Sequence, residues 1–156
     1  MEHVYASFHP APEWVISPLI EVMSGADRTE LFTLAQGAHL DILRQAIDSS
    51  IYSFSHTVDG TPVVLGGVRL NLASKGSPNI VWMVASTPWL ERVKKAFLRE
   101  SRNELAAMRL LSPLGMQAHV DRRWRKSIRW LKWLGFTEVG SFEYKGRNGL
   151  VLELGP

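Results

Sequence analysis

No cysteine occurs anywhere in the chain. That excludes disulfide scaffolds, zinc–thiolate sites and thiol nucleophiles, and makes a reducing compartment the expectation. No apolar window reaches the ~18 residues that a membrane-spanning helix requires. The start, MEHVYASFHPAPEW, has no basic stretch followed by an apolar run, so no signal peptide is expected. The phosphate loop GxxxxGK[ST], the zinc motif HExxH and the nucleophile elbow GxSxG are all missing, and the five histidines are scattered without metal-ligand spacing. Repeats, low-complexity tracts and linkers are missing too. The expectation is one soluble domain over residues 1–156, cytoplasmic, with no metal.

What is present is an ordinary globular composition, 46% hydrophobic and 21% charged, in a chain of 156 residues that can bury one good core. The net charge of +3 conceals an asymmetry. Between Glu91 and Trp133 there are twelve Lys/Arg against four Asp/Glu, whereas the rest has six against eleven. A basic face of this kind predicts an anionic partner: a phosphate-bearing cofactor, a nucleic acid or an acidic protein surface.

Hydrophobic periodicity places the elements. Val4 to Phe8 reads as a short strand before the breakers Pro10 and Pro12. From Trp14 to Met23, Val15, Ile16, Leu19, Ile20 and Met23 recur at helical steps, with Pro18 as a complication. GADRTELFTLAQG is ambiguous, and HLDILRQAIDSS is a helix with Leu40, Leu43 and Ile47 on one face. IYSFSHTV then alternates up to Asp59-Gly60, a hairpin signal, and TPVVLGGVRLNL is the returning strand. Its Gly66-Gly67 suggests a bulge, or else a close backbone approach. After the loop ASKGSPN, the apolar run NIVWMVAS predicts a buried central strand.

STPWLERVKKAFLRESRNELAAMRLLS predicts one long helix, capped by Ser86 or Thr87, with Pro88 near its first position. Leu90, Val93, Phe97, Leu105, Met108 and Leu111 form its core stripe. Pro113 and Gly115 end it; GMQAHV is a strand, and FTEVGSFEY with GLVLEL makes a closing hairpin around Lys145–Asn148. The order β-α-α-β-β-β-α-β-α-β-β is α+β, with a single mixed, mostly antiparallel sheet and flanking helices.

Between the last two strand regions lies VDRRWRKSIRWLKWLGF, with six Lys/Arg and three tryptophans. Trp124, Ile128, Leu131 and Leu134 share one face, widened by Ser127 and Trp130. Arg125, Lys126, Arg129 and Lys132 take the other. Packing of the apolar stripe with a solvated cationic back is the plain reading, and Gly135 is the natural C-cap. Stacking on nucleic acid needs exposed aromatics, and only Trp133, at the edge of the stripe, qualifies. No helix-turn-helix or zinc finger accompanies the basic helices, so nucleic acid ranks third among partners. A membrane-surface role conflicts with the need for the apolar face to close the sheet.

The element order, and Ser127-Ile128-Arg129-Trp130-Leu131-Lys132-Trp133-Leu134-Gly135-Phe136 in particular, resembles the GNAT superfamily of N-acetyltransferases, whose corresponding ending is A-I-x-x-Y-x-x-L-G-F. IVWMVAS leading into a Lys/Arg-rich helix, together with SIRWLKWLGF, resembles the small GNAT-like proteins of short-tailed phages known as internal virion protein A or virion assembly protein.

The resemblance implies that NIVWMVAS offers backbone to the pantetheine arm of acetyl-CoA, and that the following loop wraps the pyrophosphate at a helix N-terminus. Val84, Ala85, Ser86 and Thr87, with Arg92 and Lys95 close by, are the cofactor-binding candidates. The segment ASTPWLERVKKAF contains none of the glycines of the family's loop, and Pro88 removes one N–H donor. The family's general-acid tyrosine falls on Leu131, which cannot donate a proton, and its frequent asparagine falls on Trp124. No glutamate stands on the strand to act as base. His119, or His56, is a substitute base, and Tyr144 a displaced acid.

Two functions of different class follow as expectations. One is a degenerate protein acting in virion structure or assembly through contacts with virion or host proteins. The other is an acetyl-CoA-dependent N-acetyltransferase acting on a protein or small amine.

Overall fold

The alternation on either side of Asp59-Gly60 resolves into an antiparallel hairpin, β2 (Tyr52–Val58) and β3 (Thr61–Arg69), with Val58 opposite Thr61. Both turn residues have positive φ, 51° and 82°, as a two-residue turn matched to strand twist requires. In the computed structural model, which describes residues 2–33, 39–73, 75–144 and 146–156, this hairpin sits within a seven-stranded sheet. The remaining strands are β1 (Tyr5–Phe8), β4 (Asn79–Ala85), β5 (Met116–Asp121), β6 (Thr137–Tyr144) and β7 (Arg147–Leu154). Their order is β1-β2-β3-β4-β5-β7-β6, and β4–β5 is the one parallel pair among them.

Helices cover both faces. On one side α1 (Ile16–Val22) and α3 (His39–Ser49) bury Val15, Ile16, Leu19 and Leu43 against Leu65. On the other, α5 (Lys94–Leu110) and α6 (Arg125–Trp133) bury Phe97, Leu105, Met108 and Leu131, with Val93 just before α5, against Phe54, Met116 and Leu152. The chain is thus α+β with one mixed, mostly antiparallel sheet. No helix among the described residues is long and apolar enough to cross a membrane.

Several expectations need correction. GADRTELFT is helical, forming α2 (Gly25–Thr33). The single long helix is broken: α4 (Thr87–Arg92) stops at Val93, whose φ and ψ of −124° and 32° interrupt the ladder before α5 begins. Leu111, assigned to the core stripe, lies past that helix and is 44% exposed. Pro18 is tolerated because it falls in the first turn of α1, where its missing N–H would have no intrahelical partner. Gly66-Gly67 forms no bulge; the register shift in this hairpin lies at His56/Thr57. The close approach is what these glycines serve. A Cβ on Gly66 would sit 2.6 Å from the Phe54 ring, and one on Gly67 would sit 2.5 Å from the Tyr52 carbonyl. β4 is central in strand order, yet Ile80 to Ala85 are only half-buried.

The ending Leu134-Gly135-Phe136 has a local cause. The Phe136 N–H donates to the Leu131 carbonyl and the Gly135 N–H to the Lys132 carbonyl, the paired bonds of a Schellman motif. Gly135 takes φ +105°, and buried Phe136 then starts the closing hairpin. Gly135→Ala should cost about 1–2 kcal/mol by forcing a Cβ into left-handed backbone. Gly140→Ala, on open strand with nothing near its Cβ position, should be close to neutral. Thermal denaturation of the two variants checks this; equal melting temperatures would refute the cap.

Candidate functional site

β4 and β5 meet only at their first residues, Asn79 opposite Met116 and Ile80 opposite Gln117. Asn79 fixes that closed end, donating from Nδ2 to the Leu111 carbonyl (3.2 Å) and to Ser112 Oγ (3.0 Å). Beyond it, β4 keeps its pairing with β3 as far as Ala85, and β5 keeps β7 as far as Asp121. Two strand edges therefore face each other unpaired across a gap that opens toward their carboxyl ends. The half-burial of β4 follows from this gap, and such a split at the carboxyl ends of parallel strands is where sheets of this kind accept ligands.

One carboxylate occupies the mouth on the β4 side. Asp27, 7% exposed, receives the Ser24 N–H at 2.8 Å while its own N–H donates to Ser24 Oγ at 3.0 Å, a reciprocal cap on α2. The same oxygen, Oδ2, accepts from the Thr87 N–H (3.0 Å) and from Thr87 Oγ1 (3.2 Å) at the start of α4. Ser86, fully buried, donates its hydroxyl to the Val22 carbonyl at 2.6 Å. The Trp89 and Leu90 N–H groups both close onto the Ser86 carbonyl. With Pro88 contributing no donor, every backbone N–H from Thr87 to Leu90 is engaged or absent.

The opposite wall is α6. Leu131 packs into the core at 6% exposure, and Trp130 stacks on Phe97 of α5 with ring centroids 5.8 Å apart. The indole Nε1 atoms of Trp124 and Trp130 are buried without an acceptor among the described residues. Ser127 Oγ donates to Glu30 Oε1 of α2 at 2.8 Å. Burial pushes the Glu30 carboxyl above its ordinary range, with the charges of Asp27 and Asp121 adding to the effect and the Ser127 hydrogen bond opposing it. α2 thus spans the mouth, held to the β4 side by Asp27 and to α6 by Glu30.

No protein-family model and no curated protein matches the chain by sequence. Its shape does have counterparts among solved structures. The GNAT domain of PAT from S. lividans superposes with a TM-score of 0.70 at 16% identity, covering 95% of this chain and 89% of that one. Aminoglycoside acetyltransferase AAC(6')-Ib, solved with coenzyme A and kanamycin, gives 0.67 at 13% identity, over 96% and 95%. A GNAT-family acetyltransferase from Streptococcus pneumoniae gives 0.62 at 14% identity, over 98% of each. The chain has the GNAT fold.

In GNAT-fold terms, the gap presents two unpaired strand edges. A pyrophosphate does not fit the mouth. The donors that would cradle it are already bonded, and Asp27 and Glu30 supply carboxylates where an anion would have to sit. The expected cofactor residues lie along the end of β4 and the helices that follow it. Val84 packs with the α1/α3 layer and Ala85 with the α5/α6 layer, on alternate faces of β4. Ser86 and Thr87 are engaged as described, Arg92 lies 5.0 Å over the Trp89 ring, and Lys95 is exposed in the first turn of α5.

The acid–base candidates are dispersed. His119 on β5 contacts Gln117 Oε1 at 2.9 Å and leans on the Phe142 ring; partial desolvation, then the charge of Arg69, lowers its pKa. Tyr144 pairs through its backbone with Arg147 at the tip of the last hairpin, and its side chain lies outside the described ones. His56 is not at the gap. It lies fully buried in a separate network, with Nδ1 2.6 Å from Tyr5 Oη and Nε2 3.4 Å from Glu104 Oε1. His9 Nε2 reaches the same Glu104 oxygen at 2.7 Å, and Tyr52 Oη donates to Oε2 at 3.1 Å.

Composition could not reveal these groups, although Ser24-Gly-Ala-Asp27 carries a legible S-x-x-D capping signature. Glu104 looked like one charge on a long helix; it is 4% exposed. Burial pushes its carboxyl up, but the hydrogen bonds and charges of His56 and His9 prevail and hold it below the ordinary 4.5. A depressed folded-state pKa stabilises fully above 4.5, and that stability is lost as pH falls through the folded value. Glu104→Gln should therefore destabilise at neutral pH and flatten the acid limb of the stability profile. Urea melts from neutral to acidic pH would show it; parallel profiles for both proteins would disprove the role.

Proposed function

We propose that this chain is a GNAT-fold protein of the short-tailed-phage type, acting in virion structure or assembly through contacts with virion or host proteins, its cofactor mouth no longer built for acetyl-CoA. The observation that carries the reading is Asp27, whose buried carboxylate takes the Thr87 donors at the helix start where a pyrophosphate would bind. A core leucine at position 131, where the resemblance calls for an acid tyrosine, supports it, and the likeness of SIRWLKWLGF to the phage proteins supplies the setting.

The second reading, an acetyl-CoA-dependent N-acetyltransferase of protein or small-molecule amines, draws on the gap between β4 and β5 and on the orphan indole donors. There the Val84–Thr87 segment would face the cofactor, and His119 or Tyr144 would handle protons.

Titration calorimetry with acetyl-CoA separates the two. The first predicts no heat up to millimolar ligand. It also predicts that Asp27→Asn loses about 1 kcal/mol of stability through weakened caps without acquiring turnover. Micromolar binding by the unaltered chain, or thiol release with a panel of amines, would establish the enzyme reading instead.

A further inference from the structure

The outer faces of α5 and α6 carry charge that the gap does not use. Lys95, Arg99 and Arg102 fall at i, i+4 and i+7 on α5 and form one exposed stripe. Arg125, Arg129 and Trp133 recur every four residues along α6. Two contacts tie the helices side by side: the Phe97–Trp130 stack, and the Arg102 guanidinium lying 4.2 Å over the Trp133 ring. Between them opens a groove of about 320 Å³ lined by Leu98, Arg99, Arg102, Asn103 and Trp133.

The groove has an apolar floor, a cationic rim and no acidic lining residue. Arg99, its own side chain largely in solvent, has one carboxylate partner among the described residues, its neighbour Glu100 at 3.3 Å, a contact of little strength. Lys95, Arg102, Arg125 and Arg129 have no carboxylate partner among the described residues. Two arginines outside the groove do pair with carboxylates, Arg44 with Glu13 at 2.8 Å and Arg123 with Asp121 at 3.1 Å. Like charges on successive turns repel, and the contacts that temper this are the Arg99–Glu100 pair and the Arg102–Trp133 ring contact.

Charge alone would admit a phosphate polymer, but the aromatics argue otherwise. Stacking on bases needs a free ring face. Arg102 covers the exposed Trp133, while Trp124 and Trp130 pack against the core. What the groove offers is a pair of guanidinium forks, suited to carboxylates, directly beside an apolar seat formed by Leu98 and the part of the indole, 43% exposed, that Arg102 leaves uncovered.

We propose that this groove docks an acidic amphipathic segment of a partner protein, with its Asp/Glu side chains on Arg99 and Arg102 and an apolar neighbour on Leu98 and Trp133. This names the partner chemistry for the protein-contact reading above and rests on it; acetyl-CoA titration tests only that reading, so the two can fail separately.

The test is fluorescence anisotropy with a labelled helical peptide carrying glutamates on one face and leucines on the other. Binding should weaken with added salt and fall at least about tenfold, or about 1.4 kcal/mol, in the Arg99→Glu/Arg102→Glu double variant. Trp133→Ala should weaken it several-fold. Because all three side chains are exposed, unchanged melting temperatures will show that the variants are folded. The same peptide with lysines in place of glutamates should not bind. Absence of binding by the unaltered chain, indifference to the double charge reversal, or tighter binding of a DNA oligonucleotide that displaces the peptide would each overturn the proposal.

Discussion

Asp27 Oδ2 receives three hydrogen bonds, from the Ser24 N–H, the Thr87 N–H and Thr87 Oγ1. An anion at a helix start is favoured by the exposed N–H groups and by the dipole. Here one anion serves two helix starts, α2 and α4, brought together from positions 60 apart in sequence. That single oxygen sets where α2 lies over the sheet, and so places Glu30 within reach of Ser127 on α6. The opening between β4 and β5 is thereby bridged by protein. A helix N-terminus is a generic anion receptor, and this chain meets the requirement with a side chain of its own.

Much of the fold was legible because its signals are local. Asp59-Gly60 dictated a hairpin, the period-2 run before it a strand, and Leu134-Gly135-Phe136 a helix stop. The break at Val93 was not legible: both flanking segments keep the helical period, and nothing in TPWLERVKKAF marks an interruption. Gly66-Gly67 was read as a bulge or a close approach, and only the structure names the neighbour, the Phe54 ring on the adjacent strand. Long-range contacts of that kind leave no trace in the spacing of residues along one strand.

The site divides the same way. The strand that borders the gap was identified from its apolar run and its resemblance to a family; the departures at Leu131 and in the glycine-free loop could be read directly. Asp27 and Glu30 were missed because an acidic residue in an amphipathic helix looks like solvated surface until its burial is known. His56 was weighed as a substitute base, with a structural place the commoner one for a lone histidine on a strand. Its ring lies fully buried, Nδ1 2.6 Å from Tyr5 Oη and Nε2 3.4 Å from Glu104.

That last network has a consequence for how the edge of the sheet is held. β1 lies at that edge, its backbone paired with β2. His9, just after β1, reaches a carboxylate 95 residues later, and Tyr52 of β2 meets the same Glu104. The edge is therefore fastened twice, by a backbone ladder and through a single buried acid on α5, so that whatever loosens the acid loosens the edge with it.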